Sequence, residues 1–352
     1  MKLEAQFYEN FDSFLQLNGS LQKEFFLLVA EQTSFCLEAL HNATAKITGA
    51  FFPEIIFNNR LHKKGLIALE ITSNIQLFLI KDMNNLDFSH IPLKQTPTVL
   101  TIVDGICNQN EYFLNQLFQY SGLQTNIFGA GAGSLDAKNE KVFFTNEGLL
   151  KCCAVLLTLD NRMDLGVKHG WQYLEGPFVV TSCESNTLKE LDFKNAYDVY
   201  KEIVYKDSGV TLDETNFLEV SKNYPLGVVK YQGEQLVRDP IGVENGVMTL
   251  AGQMTQNTVV NILKGDKQTL LNATKEASFD ALKNECEFIL MFDCLTRKNF
   301  LEEKFEEELD IIFSQKKSLN VMGAISIGEV ANDGKDYIKF FNKTCVIGGI
   351  CF

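Results

Sequence analysis

Basic side chains are in short supply in this sequence, and their scarcity argues against two classes of partner. Lys and Arg together number 32 against 45 Asp and Glu, for a formal net charge of −13. A chain this acidic repels phosphate backbones and anionic lipid headgroups unless it carries a local basic patch. No segment of the sequence is strongly basic. We therefore expect neither nucleic acid nor a membrane surface as a partner.

Long apolar runs and leader-like features are lacking as well. The longest apolar runs, such as CCAVLL, have the length of a strand, whereas a membrane-spanning helix needs about 20 apolar residues. The N-terminal MKLEAQFYEN has no basic stretch followed by an apolar run, so it does not read as a signal peptide. The nine Cys form no CxxC pair. Together these features predict a cytoplasmic protein with reduced, buried thiols.

Histidine, the commonest metal ligand, is rare. The four His, at positions 41, 62, 90 and 169, are scattered along the chain. The sequence contains no HExxH, no His pair at metal-ligand spacing, no Asp-rich loop and no Ser-His-Asp order. It therefore supports neither a zinc site nor a serine-hydrolase triad, and we predict no bound metal ion.

Three alternating glycines stand out in NIFGAGAGS, residues 126–134. A P-loop ends in Gly-Lys followed by Ser or Thr, and a dinucleotide-binding loop is followed by a helix. Here Ser134 follows Gly133 directly, and the next residues indicate a turn into a strand. We predict instead a strand whose small residues let another backbone or a ligand come close.

Apolar residues are abundant and arranged in alternating strand-like and helix-like segments. They make up 45% of the 352 residues, with 28 Phe, which is enough for a large core and roughly two domains. Two segments predict the same order of a strand, a turn and an amphipathic helix: EFFLLVAEQTSFCLEAL and EFILMFDCLTRKNFLEEKFEEEL. Each of them precedes a Gly-Ala strand and a Glu. The sequence therefore predicts an α/β (α+β) fold of two related mixed-sheet units with flanking helices, with internal duplication and chance similarity both open.

The segment VKHGW contains the only Trp of the chain beside one of the four His. In a strand, His169 and Trp171 would project from the same face. That pair could form the wall of a ligand site. It could equally be a packed indole beside an imidazole that bonds to a carbonyl.

Other candidates for chemistry lie at the ends of apolar strands. Cys294 and Arg297 follow a buried strand, the position where α/β proteins bind ligands. A Cys nucleophile would need a base and an activating field. Arg238 or Arg297 could hold a carboxylate in a bidentate manner, and Glu329 could pair with an amine or with an arginine. For each Arg and for Glu329, a surface charge is the alternative.

The ordered set of these motifs resembles the FIST family, with its FIST-N and FIST-C parts. The resemblance rests on FFLLVA, GAFFPEI with Glu54, FGAGAGS, GVKHGW, VRDP, CLTR, GAISIGEV and FNKT. It implies a FIST-N-like domain at 1–204 and a FIST-C-like domain at 205–352. One departure is GAFFPEI, where Phe51, Phe52 and Pro53 replace small polar residues and make a pocket in the first half doubtful.

The resemblance also implies a function, that of a sensory module of bacterial signal-transduction proteins. We expect a non-catalytic sensor that binds a small ligand such as an amino acid. The sequence contains no kinase, cyclase or methyl-accepting segment, so the signal would pass through a separate partner such as a histidine kinase or a chemoreceptor. The motif positions of the family fall on nine residues: His169, Gly170, Trp171, Arg238, Cys294, Arg297, Glu329, Asn342 and Thr344.

Two alternatives remain open from the sequence. Some FIST relatives look like haem proteins that sense nitric oxide. If this protein is also such a haem protein, His169 is the candidate haem ligand. The second alternative is an enzyme with Cys294 as its nucleophile. Apart from haem, no cofactor is expected.

Overall fold

Mixed sheets with flanking helices make up the chain, as the sequence predicts. A computed structural model describes residues 4–135, 141–230, 235–316, 320–332 and 337–351. It contains three six-stranded mixed sheets and one seven-stranded antiparallel sheet. The six-stranded sheets belong to three related units that follow one another along the chain.

The elements follow in chain order. The first unit contains β1 (Ala5–Tyr8), α1 (Phe11–Asn18), β2 (Glu24–Ala30), α2 (Leu37–His41), β3 (Lys46–Phe52), β4 (Glu54–Phe57), β5 (Arg60–His62) and β6 (Leu66–Ile71). The second contains β7 (Ile75–Ile80), β8 (Thr98–Asp104), α3 (Asn110–Ser121), β9 (Asn126–Ala132), β10 (Phe143–Thr145), β11 (Gly148–Leu150) and β12 (Ala154–Leu159).

The third unit is interrupted by an insertion. It opens with β13 (Met163–Lys168). The insertion contains β14 (Gln172–Glu184), β15 (Thr187–Leu191), β16 (Lys194–Asn195), α4 (Ala196–Ser208), α5 (Phe217–Ser221), β17 (Leu226–Val228), β18 (Leu236–Glu244), β19 (Val247–Ala251) and β20 (Val259–Lys264). The unit then resumes with α6 (Lys267–Ala281), β21 (Cys286–Cys294), α7 (Leu295–Leu301), α8 (Phe305–Gln315), β22 (Asn320–Ser326), β23 (Glu329–Ala331), β24 (Lys339–Phe341) and β25 (Cys345–Cys351).

Each unit has the same strand pairing. In the first, β2 and β3 are parallel, β6 lies antiparallel on the other side of β2, and β1 pairs outside β6. The second unit repeats this arrangement with β8, β9, β12 and β7, and the third repeats it with β21, β22, β25 and β13. The echo in the sequence links the first and third units; the second unit is a third copy.

The units also exchange hairpins in a cycle. The β4–β5 hairpin of the first unit pairs with β22 of the third. The β10–β11 hairpin of the second pairs with β3 of the first, and the β23–β24 hairpin of the third pairs with β9 of the second. Because every sheet is completed by a hairpin from another unit, no unit forms its six-stranded sheet alone.

The Gly-Ala pair recurs in the second parallel strand of every unit. It occupies the fourth and fifth positions in KITGAFF, NIFGAGA and NVMGAIS. A Cβ on Gly129 would lie 1.7 Å from the Thr101 carbonyl oxygen, and one on Gly323 would lie 1.6 Å from that of Met291. Glycine is therefore required for close backbone approach, as predicted for the FGAGAGS strand.

One apolar core is shared by all three units. Buried side chains from the inner faces of the three sheets meet there, with Phe26, Phe128 and Phe292 coming from one unit each. Helices cover the outer faces: α1 and α2 the first sheet, α3 the second, and α6, α7 and α8 the third. The inserted seven-stranded sheet packs its own core against α4 and α5.

Several local expectations are modified by the structure. The amphipathic helix predicted after EFILMFDC buries Leu301, Phe305, Leu309 and Ile312, but it is interrupted at Glu302, which has a positive φ of 55°. Residues 143–150 form the β10–β11 hairpin, whereas CCAVLL continues into a different sheet. The predicted domain boundary at 204/205 falls inside α4.

Cysteine chemistry departs from the expectation that all thiols are reduced. Cys107 and Cys152 form a disulfide, with their Cα atoms 5.1 Å apart. The buried thiols that were expected are found at Cys153, Cys286 and Cys294, and also at Cys345. Among the described residues, no helix combines the length and the apolar character needed to cross a membrane.

Candidate functional site

A cavity of about 390 Å³ lies where the second and third units meet the inserted sheet. Its walls come from the segments after β8, β21 and β22, the edge of β24, and strands β18 and β19 of the insertion. The carboxyl ends of the parallel strands β8, β21 and β22 thus open towards it, the place where α/β sheets bind ligands. The volume is within the range of small-molecule sites.

The loop after β8 is held in a fixed form by Asp104, the last residue of that strand. Its carboxylate accepts hydrogen bonds from the backbone N–H groups of Ile106 (3.2 Å) and Cys152 (2.7 Å). Its backbone carbonyl accepts from Asn110 Nδ2 at 2.9 Å. Burial raises the pKa of Asp104, although these backbone bonds favour the charged form. The cavity wall formed by this loop is therefore preorganised.

Three buried acceptor atoms at the cavity have no hydrogen-bond partner among the residues that the structure describes. They are the Oδ1 atoms of Asn110, Asp239 and Asn342. The three side chains line the cavity and are only 5%, 3% and 5% exposed. A buried acceptor without a partner costs about 1–3 kcal/mol, so these atoms favour a bound donor.

Arg238 lies beside the cavity and is fully engaged. Its Nη2 contacts Glu111 Oε1 at 2.9 Å, its Nη1 donates to the Phe340 carbonyl at 2.9 Å, and its Nε donates to the Gln253 carbonyl at 3.0 Å. The guanidinium therefore joins the inserted sheet to helix α3 and strand β24. In this arrangement it positions the cavity walls and holds no free fork for a carboxylate.

Asp239 and Lys343 form a buried ion pair at the back of the cavity. Lys343 Nζ lies 3.2 Å from Asp239 Oδ2, donates to the Lys222 carbonyl at 3.1 Å and sits 4.9 Å from the centre of the Trp171 ring. Burial raises the pKa of Asp239, while the Lys343 ammonium and the Thr296 hydroxyl oppose that rise. The Lys343 side chain has no exposed surface.

Cys294 and Glu329 lie together beneath Ser326. Glu329 accepts from Ser326 Oγ at 2.7 Å and from the Thr344 backbone N–H at 3.3 Å. Burial raises the pKa of Glu329 to about 8, against these hydrogen bonds. Burial and the Glu329 charge raise the pKa of the Cys294 thiol to about 12. At neutral pH the carboxyl group is therefore mostly protonated and Cys294 is a thiol.

Arg297 is the centre of a separate buried cluster. Its Nη2 lies 2.8 Å from Glu308 Oε1, its Nε lies 3.6 Å from Asp293 Oδ1, and its Nη1 donates to the His169 carbonyl at 2.5 Å. The carboxylates raise the pKa of Arg297 against the effect of burial. Asp293, Glu308 and Cys345 are close enough to share a cation, but the guanidinium already provides the positive charge there.

Only the first two residues of VKHGW lie in a strand, whereas the sequence prediction assumed a strand through His169 and Trp171. Strand β13 ends at Lys168, Gly170 has a φ of 78°, and His169 Nδ1 accepts from the Trp171 backbone N–H at 2.9 Å. The Trp171 ring packs on Phe300, with 4.8 Å between ring centres, and its Nε1 donates to the Lys343 carbonyl. The segment therefore supports the loop at Lys343 from behind.

The nine predicted residues differ in where they lie relative to the cavity. Cys294 and Asn342 line the cavity, and Arg238, Glu329 and Thr344 contact its walls from behind. The remaining four are not among the lining residues of the cavity; they are His169, Gly170, Trp171 and Arg297.

Sequence reasoning missed the pair Asp239–Lys343. Both lie inside motifs that were recognised, VRDP and FNKT, directly beside residues that were chosen. The missed acceptor Asn110 and the missed acid Glu111 begin helix α3, where a polar pair looks like an ordinary helix start. A charged residue between two apolar strand segments was the available signal for Asp239.

Comparison with known proteins finds two family domains that follow one another along the chain. The FIST N domain matches residues 25–194 and the FIST C domain matches residues 196–332. An uncharacterized protein of Methanocaldococcus jannaschii is 24% identical over 245 residues, which covers 62% of this chain and 48% of that protein. The chain thus spans about half the length of this relative.

Proposed function

Because this chain belongs to the FIST family, whose domains are associated with sensing in signal transduction, we propose that it is a sensory protein whose ligand site is the cavity between the second and third units. The ligand is a small molecule, and the protein acts by binding it without changing it. The signal passes to a separate partner protein, such as a histidine kinase or a chemoreceptor, and the proposed location is the cytoplasm.

One observation carries the proposal: a preorganised cavity of about 390 Å³ with buried acceptor atoms that lack a partner in the described ranges of the chain. Apolar walls with a few converging polar groups are typical of small-ligand sites. The apolar part includes Ile106, Ile241, Leu250, Ile327 and Phe340. Such a cavity can hold an apolar body and fix its orientation through hydrogen bonds.

The state of Cys294 supports binding over covalent catalysis. The thiolate is the nucleophilic form of cysteine, and the pKa of Cys294 is raised to about 12. Its Sγ lies 3.3 Å from Thr296 Oγ1, and no His is among the residues that line the cavity. No observation favours His169 as a haem ligand, since its Nδ1 accepts from the backbone of Trp171. We therefore propose neither alternative.

The inserted sheet offers a route for the signal. Arg238 of that sheet contacts Glu111 and the Phe340 carbonyl on the other side of the cavity. A ligand that bridges Asp239 and Asn110 would strengthen the same contact between the insertion and the second unit. The partner would then recognise the more closely held form, which the ligand favours only through its differential affinity.

A thermal-shift screen tests the proposal. The probes are a library of small amines, amino acids, sugars and carboxylic acids, each at 1,000 times the weakest dissociation constant of interest, which would give about 4 kcal/mol of stabilisation. We expect at least one compound to raise the melting temperature of the wild type. The matched variant Ala251→Leu adds bulk to the cavity wall and should lose that shift.

Two results would contradict the proposal. One is that no compound in the library stabilises the protein. The other is that every stabilising compound acts equally on the wild type and on Ala251→Leu, which would place binding elsewhere. The control Gly242→Ala adds a methyl group outside the cavity, where the nearest atom would be 3.9 Å away, and should keep the shift.

A further inference from the structure

We propose that the cavity selects a small primary amine with an apolar body and no carboxylate. The inference rests on the proposed function and names the class of ligand for the same site. It differs from the amino-acid ligand expected from the sequence, in which arginines would hold a carboxylate.

Buried acceptor atoms that lack a donor favour a ligand with N–H groups. Within the described part of the chain, Asn110, Asp239 and Asn342 each present a buried Oδ1 atom without a donor. The amide of Asn110 is oriented by its Nδ2, which donates to the Asp104 carbonyl, so its oxygen is the end left over. An amino group supplies two or three N–H donors from one atom and can meet acceptors on both sides of the cavity.

Three side chains around the cavity already use their donors within the protein. Asn186 Nδ2 donates to the Leu250 carbonyl at 3.2 Å, and Ser326 Oγ contacts Glu329 at 2.7 Å. Arg238 donates to Glu111 and to two carbonyl groups. A ligand carboxylate that turned to any of these three groups would have to break its existing bond, whereas an amine would break none of them.

Charge favours an amine as well. The two cations at the cavity, Arg238 and Lys343, are each neutralised by a carboxylate, from Glu111 and Asp239 respectively. Glu111 and Asp239 line the cavity and the two cations do not, so an ammonium in the cavity would lie nearer to the carboxylates than to their partners. A ligand carboxylate would approach the same two acids and be repelled, because like charges in a poorly solvated site interact strongly.

Isothermal titration calorimetry with matched probes tests the inference. Isopentylamine, leucine and 4-methylpentanoate share one branched skeleton and carry an amine, an amine with a carboxylate, and a carboxylate. Phenethylamine, phenylalanine and 3-phenylpropanoate repeat the series on a ring. We expect at least one amine to bind, its amino acid to bind at least tenfold more weakly, and its carboxylic acid to give no detectable heat.

Variants identify the site of amine binding. Asp239→Asn should weaken the amine at least tenfold, and Asn342→Leu, which keeps the size of the side chain, should weaken it as well. Asn342→Leu also keeps the test decisive if Asp239→Asn does not fold, because it leaves the Asp239–Lys343 pair in place. Asp160→Asn removes an exposed carboxylate in the turn after β12 and should change nothing.

The outcomes separate the inference from the sensor proposal. An amino acid or carboxylic acid that binds as tightly as its amine would overturn the amine class and leave the sensor proposal intact. If neither amine binds, the inference is also overturned, and the library screen with Ala251→Leu decides the sensor proposal independently. Amine binding that is unchanged in both site variants would place the amine outside the cavity and overturn the inference.

Discussion

Glu329 is a carboxyl group with no exposed surface, and its protonation depends on folding. In the unfolded chain its pKa is near the ordinary value of about 4.3, whereas burial raises it to about 8 in the folded protein. A raised pKa means that the folded protein binds a proton that the unfolded chain releases. This proton binding by Glu329 raises the free energy of unfolding. Its contribution is complete below about pH 4 and is lost as the pH rises towards 8.

We predict that Glu329→Gln flattens this pH dependence. Between pH 5 and pH 8 the wild type should lose roughly 3–4 kcal/mol more of its free energy of unfolding than the variant does, since one pKa unit corresponds to about 1.4 kcal/mol. Urea denaturation at a series of pH values measures this difference. Parallel pH profiles for the two proteins would show that Glu329 does not titrate in this range.

Arg297 illustrates how a strong sequence candidate can have a structural role. Its three guanidinium nitrogens contact Glu308, the His169 and Leu270 carbonyls and the Thr274 hydroxyl. A lysine has a single nitrogen and cannot reproduce this fork. We predict that Arg297→Lys lowers the free energy of unfolding by about 3–5 kcal/mol, because it leaves buried partners unpaired.

Chemical denaturation of Arg297→Lys tests this role, with Arg162→Lys as the control. Arg162 is exposed in the turn between β12 and β13, so its substitution should change stability by less than about 0.5 kcal/mol. An Arg297→Lys protein as stable as the wild type, but with altered ligand binding, would return Arg297 to the ligand-binding role that the sequence suggested.

At the level of single residues, the sequence predicted the composition of the site better than its geometry. The ends of apolar strands led to Cys294, Glu329 and Arg238, which surround the cavity in the structure. The assignment of His169 and Trp171 to one strand face was wrong, because the chain turns at Gly170. A single glycine does not reveal its φ angle in the sequence, and that angle decides which way both neighbours point.

Strands of the second and third units depend on glycine where two backbones come together. A Cβ at position 323 would lie 1.6 Å from the Met291 carbonyl oxygen in the paired strand β21. We predict that Gly323→Ala costs at least about 3 kcal/mol or prevents folding, since a backbone atom cannot move away as a flexible side chain can.

The matched control is Gly242→Ala in β18, where the nearest atom would be 3.9 Å from the new Cβ. Its melting temperature should stay within a few degrees of the wild type. If Gly323→Ala melts at the same temperature as Gly242→Ala, the close approach of β21 and β22 described here is wrong.

Individual strands could be predicted from the sequence, but their partners could not. The runs FFLLVA and FILMFDC are buried strands as predicted. The exchange of hairpins joins β4 to β22, whose sequences are more than 260 residues apart. Periodicity reports which face of a strand is apolar and contains no information on such distant pairing.

The whole molecule repeats one arrangement three times and uses it differently each time. At the end of β8, the insertion covers a cavity of about 390 Å³. At the end of β2, Glu31, Phe35 and Phe51 help to line a smaller pocket of about 180 Å³. At the end of β21, the related position is filled by an ion pair between Lys298 and Glu54 at 2.5 Å.

The sequence made a ligand pocket in the first half doubtful because of the phenylalanines in GAFFPEI, and the structure shows where these side chains lie. Phe52 is buried in the common core, and Phe51 narrows the pocket at the end of β2. The larger cavity gains its polar acceptors from the insertion, which contributes Asp239, and from the second unit, which contributes Asn110. The insertion is therefore what distinguishes the proposed ligand site from its two counterparts.

The central claim is that this cavity binds a small ligand, and methyl NMR tests it most directly. Spectra of protein labelled at the isoleucine δ1 methyl groups would be recorded with each compound that stabilises the protein in the thermal-shift screen. The account predicts that shifts concentrate at Ile106, Ile241 and Ile327, which line the cavity, while Ile47 and Ile203 in other cores remain unchanged. Shifts confined to Ile47 or Ile203, or no compound that moves the three cavity methyl groups, would contradict it.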